Sequence, residues 1–244
     1  MLSQSEFLCQ MVEKYPEFWN HIMADHIEYR MFDRGHDFLH AVIVAQYAIL
    51  IAPDENTGRL AWFAGMLHNT DHIMGRSHID TICLKVSAYL RHIGLTEKEE
   101  AIILNAVLNH WHLNDDSDTP VLITLKDADR LGNIGPLFPS RSQQHMREVH
   151  GVGIPPIDPR FITRKDDLSS YGRNKTDVDN IQSCLEWEPM IRLEEAKKIS
   201  KPMFYLLRKM LEMEKYRLDE TGILANADLL GPYFDEAYTH QKKK

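Results

Sequence analysis

The amino-acid sequence predicts an all-α protein, and three observations predict it. Apolar residues recur at helical spacing through most of the 244 residues. No window of four or more β-branched residues alternates as a half-buried strand would. Capping residues and breakers stand where the periodic segments begin and end.

The elements follow in order. From Phe38 to Leu50 the residues Leu39, Val42, Ile43, Ala45, Tyr47 and Ile49 fill a broad apolar face, and Pro53 closes the helix. Thr57-Gly58 opens a second helix, Arg59 to about Asn69, carrying Leu60, Phe63, Ala64 and Leu67. A third runs from about His78 to His92 and ends at Gly94, a good C-cap. Thr96 and Glu99 have the spacing of a capping box and open a fourth helix to about His110. Asn114–Pro120 is polar and acidic and reads as a loop, after which a helix resumes to Leu131. Gly132–Tyr171 is rich in glycine and proline and reads as an irregular excursion with a short helix near Arg141–Val149. The helical pattern returns at Asp177–Trp187, Glu194–Tyr216 and Leu224–Tyr238. This divides the chain into a helical core at 1–135, an irregular loop or lid at 136–176, and C-terminal helices at 177–244 that pack on the core.

Composition narrows the function classes. With 28 Lys+Arg against 36 Asp+Glu the formal charge is −8, which argues against a protein that grips a nucleic-acid duplex. It leaves room for a small phosphorylated substrate, which needs only a local cluster of cations. The three cysteines, Cys9, Cys83 and Cys184, are too scattered for a disulfide framework or a paired-cysteine metal site. The N-terminus does not read as a signal peptide, and no stretch reaches the apolar length of a membrane span, so a cytoplasmic location is expected. The Lys242–Lys244 run reads as a solvated tail. The Met and Leu stripe from Met203 to Met213 reads as core or as the surface of a homodimer.

Histidine is the unusual residue. There are 13, and 10 of them lie between His21 and His112. Imidazole is the commonest metal ligand and the commonest acid–base group near neutral pH. His36 and His40 are one turn apart, as are His68 and His72, so each pair shares a helix face. His36-Asp37-Phe38-Leu39-His40 superficially matches the HExxH string of zinc proteases. Asp37 stands where that chemistry needs Glu, and no third ligand has the right spacing, so the protease reading fails. Asp37 reads instead as an acid at a helix N-terminus.

A longer pattern is more specific. It runs through GHDFLHAVIVAQYA (Gly35–Ala48), LAWFAGMLHNTDH (Leu60–His72), SHIDTICLKVSAYLRHIGL (Ser77–Leu95), AVLNHW (Ala106–Trp111) and LKDADRLGNIG (Leu125–Gly135). Over roughly residues 30–135 it resembles the HD superfamily of metal-dependent phosphohydrolases, whose order is H…HD…D. The resemblance implies an HD-domain-like helical bundle with His40, His68, position 69 and Asp129 as metal ligands. Asp127, two residues before Asp129, is the competing carboxylate. His72, or Asp71, would be the general acid or base, and His78 and His110 would bind a second metal or a substrate phosphate. Asn133 would contact substrate, with Arg76, Arg130, Arg141 and Arg147 as the nearest cations. Arg160, Arg164 and Lys165 also lie in the excursion. His21, His26, His92, His145, His150 and His240 read as ordinary surface or core histidines.

One position departs from the family. Asn69 stands where the family has the Asp of its HD pair. Its amide oxygen is a neutral, weaker ligand, which disfavours a carboxylate-bridged two-metal centre. A one-metal variant, an introduced Asp→Asn substitution and a degenerate site all stay open. The expected activity is hydrolysis of a phosphoester or phosphoanhydride of a small substrate, in the first instance a nucleotide, with Mn, Fe, Co, Ni or Zn as the ion. The alternatives are a di-iron oxygenase of the same superfamily and a non-catalytic or weakened HD protein.

Overall fold

In a computed structural model, residues 3–150, 155–160, 162 and 176–241 are described. They form an all-α fold, with helices and no strand among the described residues. No helix among them is long and apolar enough to cross a membrane. Arg164, Lys165 and the Lys242–Lys244 tail lie outside the described residues. The chain divides into two compact units, Met1–Gly132 with Ile191–Lys198, and Asn133–Met190 with Ile199–Lys244.

The first unit begins with α1 (Gln4–Lys14) and α2 (Pro16–Glu28). A Ser3/Glu6 capping box starts α1, and Pro16 starts α2, where a missing N–H costs nothing. Then come α3 (Phe38–Ile51), α4 (Glu55–Leu67), α5 (Thr70–Met74), α6 (Ile79–His92), α7 (Glu97–Asn109) and α8 (Pro120–Asn133). The Asp37 carboxylate accepts the His40 N–H at 2.7 Å, as its reading as a helix N-terminal acid expects. The Thr96/Glu99 capping box and the left-handed Gly94 (φ +73) stand where the sequence places them.

Helix α4 starts four residues earlier than its expected Arg59. Asp54 caps it by accepting the Thr57 N–H and hydroxyl, a signal that Thr57-Gly58 obscured. From Thr57 to Leu67 every residue of α4 except Arg59 is buried. Trp62 and Phe63 meet Phe18 of α2 in tilted and edge-to-face contacts, which locks the central helix in place. Gly65 permits a close crossing: a Cβ there would lie 2.8 Å from the Ala45 Cα of α3. Gly132 does the same for α8, since its Cβ would lie 2.8 Å from Val44 Cγ2 and 3.2 Å from His40 Cε1.

The second unit contains α9 (Phe138–His150), α10 (Asp177–Leu185), most of α11 (Glu194–Glu220) and α12 (Gly231–Gln241). The short helix expected near 141–149 is thus a 13-residue helix. The single last helix expected at 224–238 is instead a 3-10 segment, Leu224–Leu230, followed by α12, because Gly231-Pro232 restarts the helix. Buried polar groups tie α9 to α10. Ser142 Oγ donates to Asp177 Oδ1 at 3.1 Å, Gln143 Nε2 donates to Asp177 Oδ2 at 2.6 Å, and Asn180 Nδ2 donates to Ser142 Oγ at 2.5 Å. Ile162, Val178 and Leu218 form an apolar cluster beside them.

Candidate metal centre

The site is built at helix ends. His68 follows the last residue of α4, and His110 follows the last residue of α7. The last carbonyls of a helix lack an intrahelical partner. The His68 Nδ1–H donates to the Gly65 carbonyl at 2.6 Å, and the Thr70 hydroxyl donates to the Leu67 carbonyl at 2.6 Å. His110 repeats the device with the Val107 carbonyl at 2.8 Å. A carbonyl only accepts, so Nδ1 carries the hydrogen in both rings and Nε2 presents a lone pair. The two rings meet edge-to-face with centroids 5.3 Å apart. Two helix C-termini therefore converge, and their partial negative charge favours a cation between them.

His40 enters from the first turn of α3 and Asp129 from α8. His40 Nε2 lies 3.2 Å from Asp129 Oδ1, and His68 Nε2 lies 3.7 Å from the same oxygen. One ligand atom from each of His40, His68 and Asp129 can be chosen so that all lie within 4.8 Å of one another. Both imidazoles are sealed from solvent, whereas 25% of the Asp129 side chain is accessible, so the group opens on the carboxylate side. His68 Nε2 and Asn69 Oδ1 are buried acceptors with no hydrogen-bond partner among the described residues. The His68 Nε2 lone pair and the Asp129 carboxylate lie 3.7 Å apart and repel, and a cation between them would remove that repulsion. The donor set of this chain therefore fits a metal ion. Burial alone would raise the Asp129 carboxyl. The neighbouring imidazoles of His40, His68 and His110, His40 foremost, outweigh it and hold Asp129 well below the usual carboxylate range.

Asp127 faces elsewhere. Its Oδ2 accepts the backbone N–H groups of Arg192 and Leu193 at 2.8 Å each, and its Oδ1 accepts from Arg130 at 3.2 Å. It anchors the segment before α11. The Arg130 guanidinium also donates to Asn114 at 2.8 Å, so two of its nitrogens hold the scaffold. Next to these, buried Lys126 pairs with Asp118, which also receives Arg192.

Asp71 lies fully buried on α5. It accepts from Arg76 Nε at 2.7 Å and lies 3.7 Å from His72 Nε2. Burial pushes its carboxyl up, but His72, His110 and Arg76 together lower it. Arg76 also reaches His72 Nε2 at 3.3 Å and stacks over Trp111 at 5.3 Å. The His72 ring stacks on His36 with centroids 3.6 Å apart. Burial pushes His110 down to about 4, against the raising influence of Asp71. His78 stands exposed at the N-cap position of α6, with its Nδ1 3.3 Å from Ser77 Oγ. Asn133, Arg141 and Arg147 belong to the second unit. The last two lie on α9, where Arg147 is exposed.

Sequence reasoning gave His26 no part here. In the structure it is buried, its Nδ1–H donates to the Ile22 carbonyl at 2.8 Å, and its Nε2 lies 3.1 Å from Asn69 Nδ2. Burial lowers its basicity, so the ring is neutral near pH 7. A distance of 43 residues between partners left no local signal in the sequence.

The HD domain family model matches residues 38–134, which contain His40, His68 and Asp129. Among solved structures, the crystal structure of Bacillus subtilis YpgQ in complex with ADP is similar, at a TM-score of 0.57 and 19% sequence identity. The match covers 82% of this chain and 96% of that one. At that identity the likeness is one of fold. A comparison with curated proteins found no match.

Proposed function

We propose, from the premise that residues 38–134 form an HD domain, that the chain is a metal-dependent phosphohydrolase for a small phosphorylated substrate, in the first instance a nucleotide. The observation that carries this reading is the convergence of His40, His68 and Asp129 acceptor atoms within 4.8 Å inside that domain. His40, His68 and Asp129, with Asn69 Oδ1, would hold the ion. Two imidazoles and a carboxylate suit Mn, Fe, Co, Ni or Zn better than Mg. Such an ion, when bound, supplies Lewis-acid polarisation of a phosphoryl oxygen and a nucleophilic water at neutral pH.

The remaining work falls to the side chains around it. Arg76 donates to Asp71 and keeps that carboxylate charged and fixed, while 49% of the Arg76 side chain stays accessible to a phosphate. His72 Nε2, which faces Arg76 and Asp71, gives the proton-moving role a pair of candidates in one place. His110, neutral through burial, can offer a lone pair at the back of the site. A protein of this fold was crystallised with ADP, which makes adenine nucleotides the first substrates to assay.

The test uses purified protein loaded with Mn²⁺, Co²⁺ or Mg²⁺ and offered phosphomonoesters, cyclic nucleotides and nucleoside polyphosphates. Phosphate release with Mn²⁺ or Co²⁺, lost in His68→Ala and Asp129→Asn, is the expected result. Silence across the panel from protein shown by elemental analysis to be loaded would overturn hydrolysis.

A further inference from the structure

The Asn69 amide points its two hydrogens at three acceptors. Nδ2 lies 3.0 Å from the His36 carbonyl, 3.4 Å from the Asp37 carbonyl and 3.1 Å from His26 Nε2. His26 is itself fixed. Its Nδ1 must carry hydrogen to meet the Ile22 carbonyl at 2.8 Å, so its Nε2 can only accept in the neutral ring. The amide therefore has one sensible orientation. Turned over, its oxygen would face two carbonyls and an imidazole lone pair with no hydrogen among them. In the orientation observed, both N–H groups are used and the buried Oδ1 is left without a hydrogen-bond partner among the described residues.

A carboxylate at position 69 has the same shape and no hydrogens. One of its oxygens would occupy the place of Nδ2, against the His36 and Asp37 carbonyls and the His26 lone pair. Burying a polar group among groups of its own kind costs more than losing a hydrogen bond.

We propose that position 69 is built for an amide, and that His26 is the positioning residue that sets the Asn69 carboxamide with Oδ1 kept available to an ion. The amide is then a matched part of this chain rather than a damaged Asp, because a residue on α2 supplies an acceptor for its N–H that an ionised carboxylate has no hydrogen to meet. The proposal rests on the metal reading for its affinity readout and stands apart from it for its stability readout.

Two measurements on the full chain test it. The first is the melting temperature of metal-free protein for the parent, Asn69→Asp, His26→Leu and the double variant. Asn69→Asp should melt at least about 5 °C lower than the parent, the scale of a penalty of a few kilocalories in a chain of this size. That penalty should shrink in the His26→Leu background, since one of the opposed acceptors is gone. The second is Co²⁺ titration followed by the visible absorption of the bound ion. His26→Leu should bind about 10- to 100-fold more weakly. His26→Gln, whose Oε1 can accept from Asn69, should recover most of the loss, a rescue that a packing role would not produce.

An Asn69→Asp variant as stable as the parent, or a penalty unchanged by His26→Leu, would overturn the proposal. So would equal weakening by His26→Leu and His26→Gln. If the parent takes up no Co²⁺ at all, the metal reading falls, and the melting-temperature cycle still decides whether position 69 requires an amide.

Discussion

Asp127 and Asp129 sit two residues apart on α8 and do different work. On a helix, residues i and i+2 do not face the same way, so only one of the pair can meet His40. The sequence string supplies both carboxylates and leaves the choice open. The structure separates them through a partner 65 residues away, the Arg192 and Leu193 N–H groups that hold Asp127. Asp127→Asn should lower stability by about 2–4 kcal/mol, because its NH2 must face either the backbone donors or the half-buried Arg130 guanidinium, whose charge then loses its carboxylate. Metal affinity of its folded fraction should stay near that of the parent. Asp129→Asn should melt within a few degrees of the parent and lose more than the roughly 100-fold in Co²⁺ affinity that a second-sphere change can cost. Denaturant melts paired with Co²⁺ titrations check both, and the reverse pattern would make Asp127 the ligand. His40, His68, position 69 and Asp129 could be named from the resemblance to the HD superfamily, with Asp127 left as the competing carboxylate. His26 could not, because a contact between α2 and the end of α4 leaves no trace in local pattern.

At the scale of elements, two glycines set how closely the helices around His40 and His68 approach. Gly65 lets α4 touch the α3 backbone at Ala45, and Gly132 lets α8 lie against His40 and Val44. The consequences of adding a methyl differ. At Gly65 the new Cβ would meet backbone at 2.8 and 2.9 Å, which cannot yield without moving α3, so Gly65→Ala should destabilise by at least about 1–3 kcal/mol. At Gly132 two of the three nearest atoms belong to the His40 ring, so Gly132→Ala should chiefly displace that imidazole and, on the proposed metal reading, weaken Co²⁺ binding. Denaturant melts and Co²⁺ titrations of the two variants separate these effects. A third prediction concerns the start of α7. Glu99 accepts the Thr96 N–H at 2.9 Å and pairs with Arg59 of α4, and these contacts, the backbone hydrogen bond foremost, lower its carboxyl to about 2. A folded pKa below the unfolded one gives stability that is present above about pH 4.5 and lost as pH falls toward 2. Glu99→Gln should therefore melt below the parent at pH 7, with the gap closing between about pH 4.5 and 2. A gap independent of pH would assign the effect to packing. Caps of this kind are local, which is why the Thr96/Glu99 box and Gly94 could be read from sequence. The start of α4 could not, since Thr57-Gly58 masked the Asp54 cap. The approach distances at Gly65 and Gly132 depend on which helices cross, which periodicity does not reveal.

At the scale of the molecule, the all-α class was legible because helical spacing repeats through most of the chain, whereas the return of residues 191–198 to the first unit was not. The boundary falls at Gly132–Asn133, inside the last turn of α8, and residues 191–198 return to the first unit from far along the chain. No composition shift marks that return. It is made by hydrogen bonds from Arg192 and Leu193 to Asp127 and by the Arg192–Asp118 ion pair. All of His40, His68, Asn69, Asp71, His110 and Asp129 lie in the first unit, so an ion bound there stabilises that unit's native state and not its unfolded chain. Mass action then ties stability to free metal: about 2.7 kcal/mol at 100 times the dissociation constant, and about 1.4 more for each further tenfold. In a protein of this size that corresponds to roughly 5–10 °C at the first of those concentrations. Trp19, Trp62 and Trp111 belong to the first unit and Trp187 to the second, so a Trp187→Phe variant makes tryptophan emission a reporter of the first unit alone. In that variant the emission midpoint should climb with the logarithm of Co²⁺ or Mn²⁺ concentration and fall back on chelation. His68→Ala in the same background should abolish the climb while still unfolding cooperatively. A climb that survives His68→Ala would mean that the stabilising ion sits elsewhere in the chain, and the convergence of His40, His68 and Asp129 would then have to be accounted for without one.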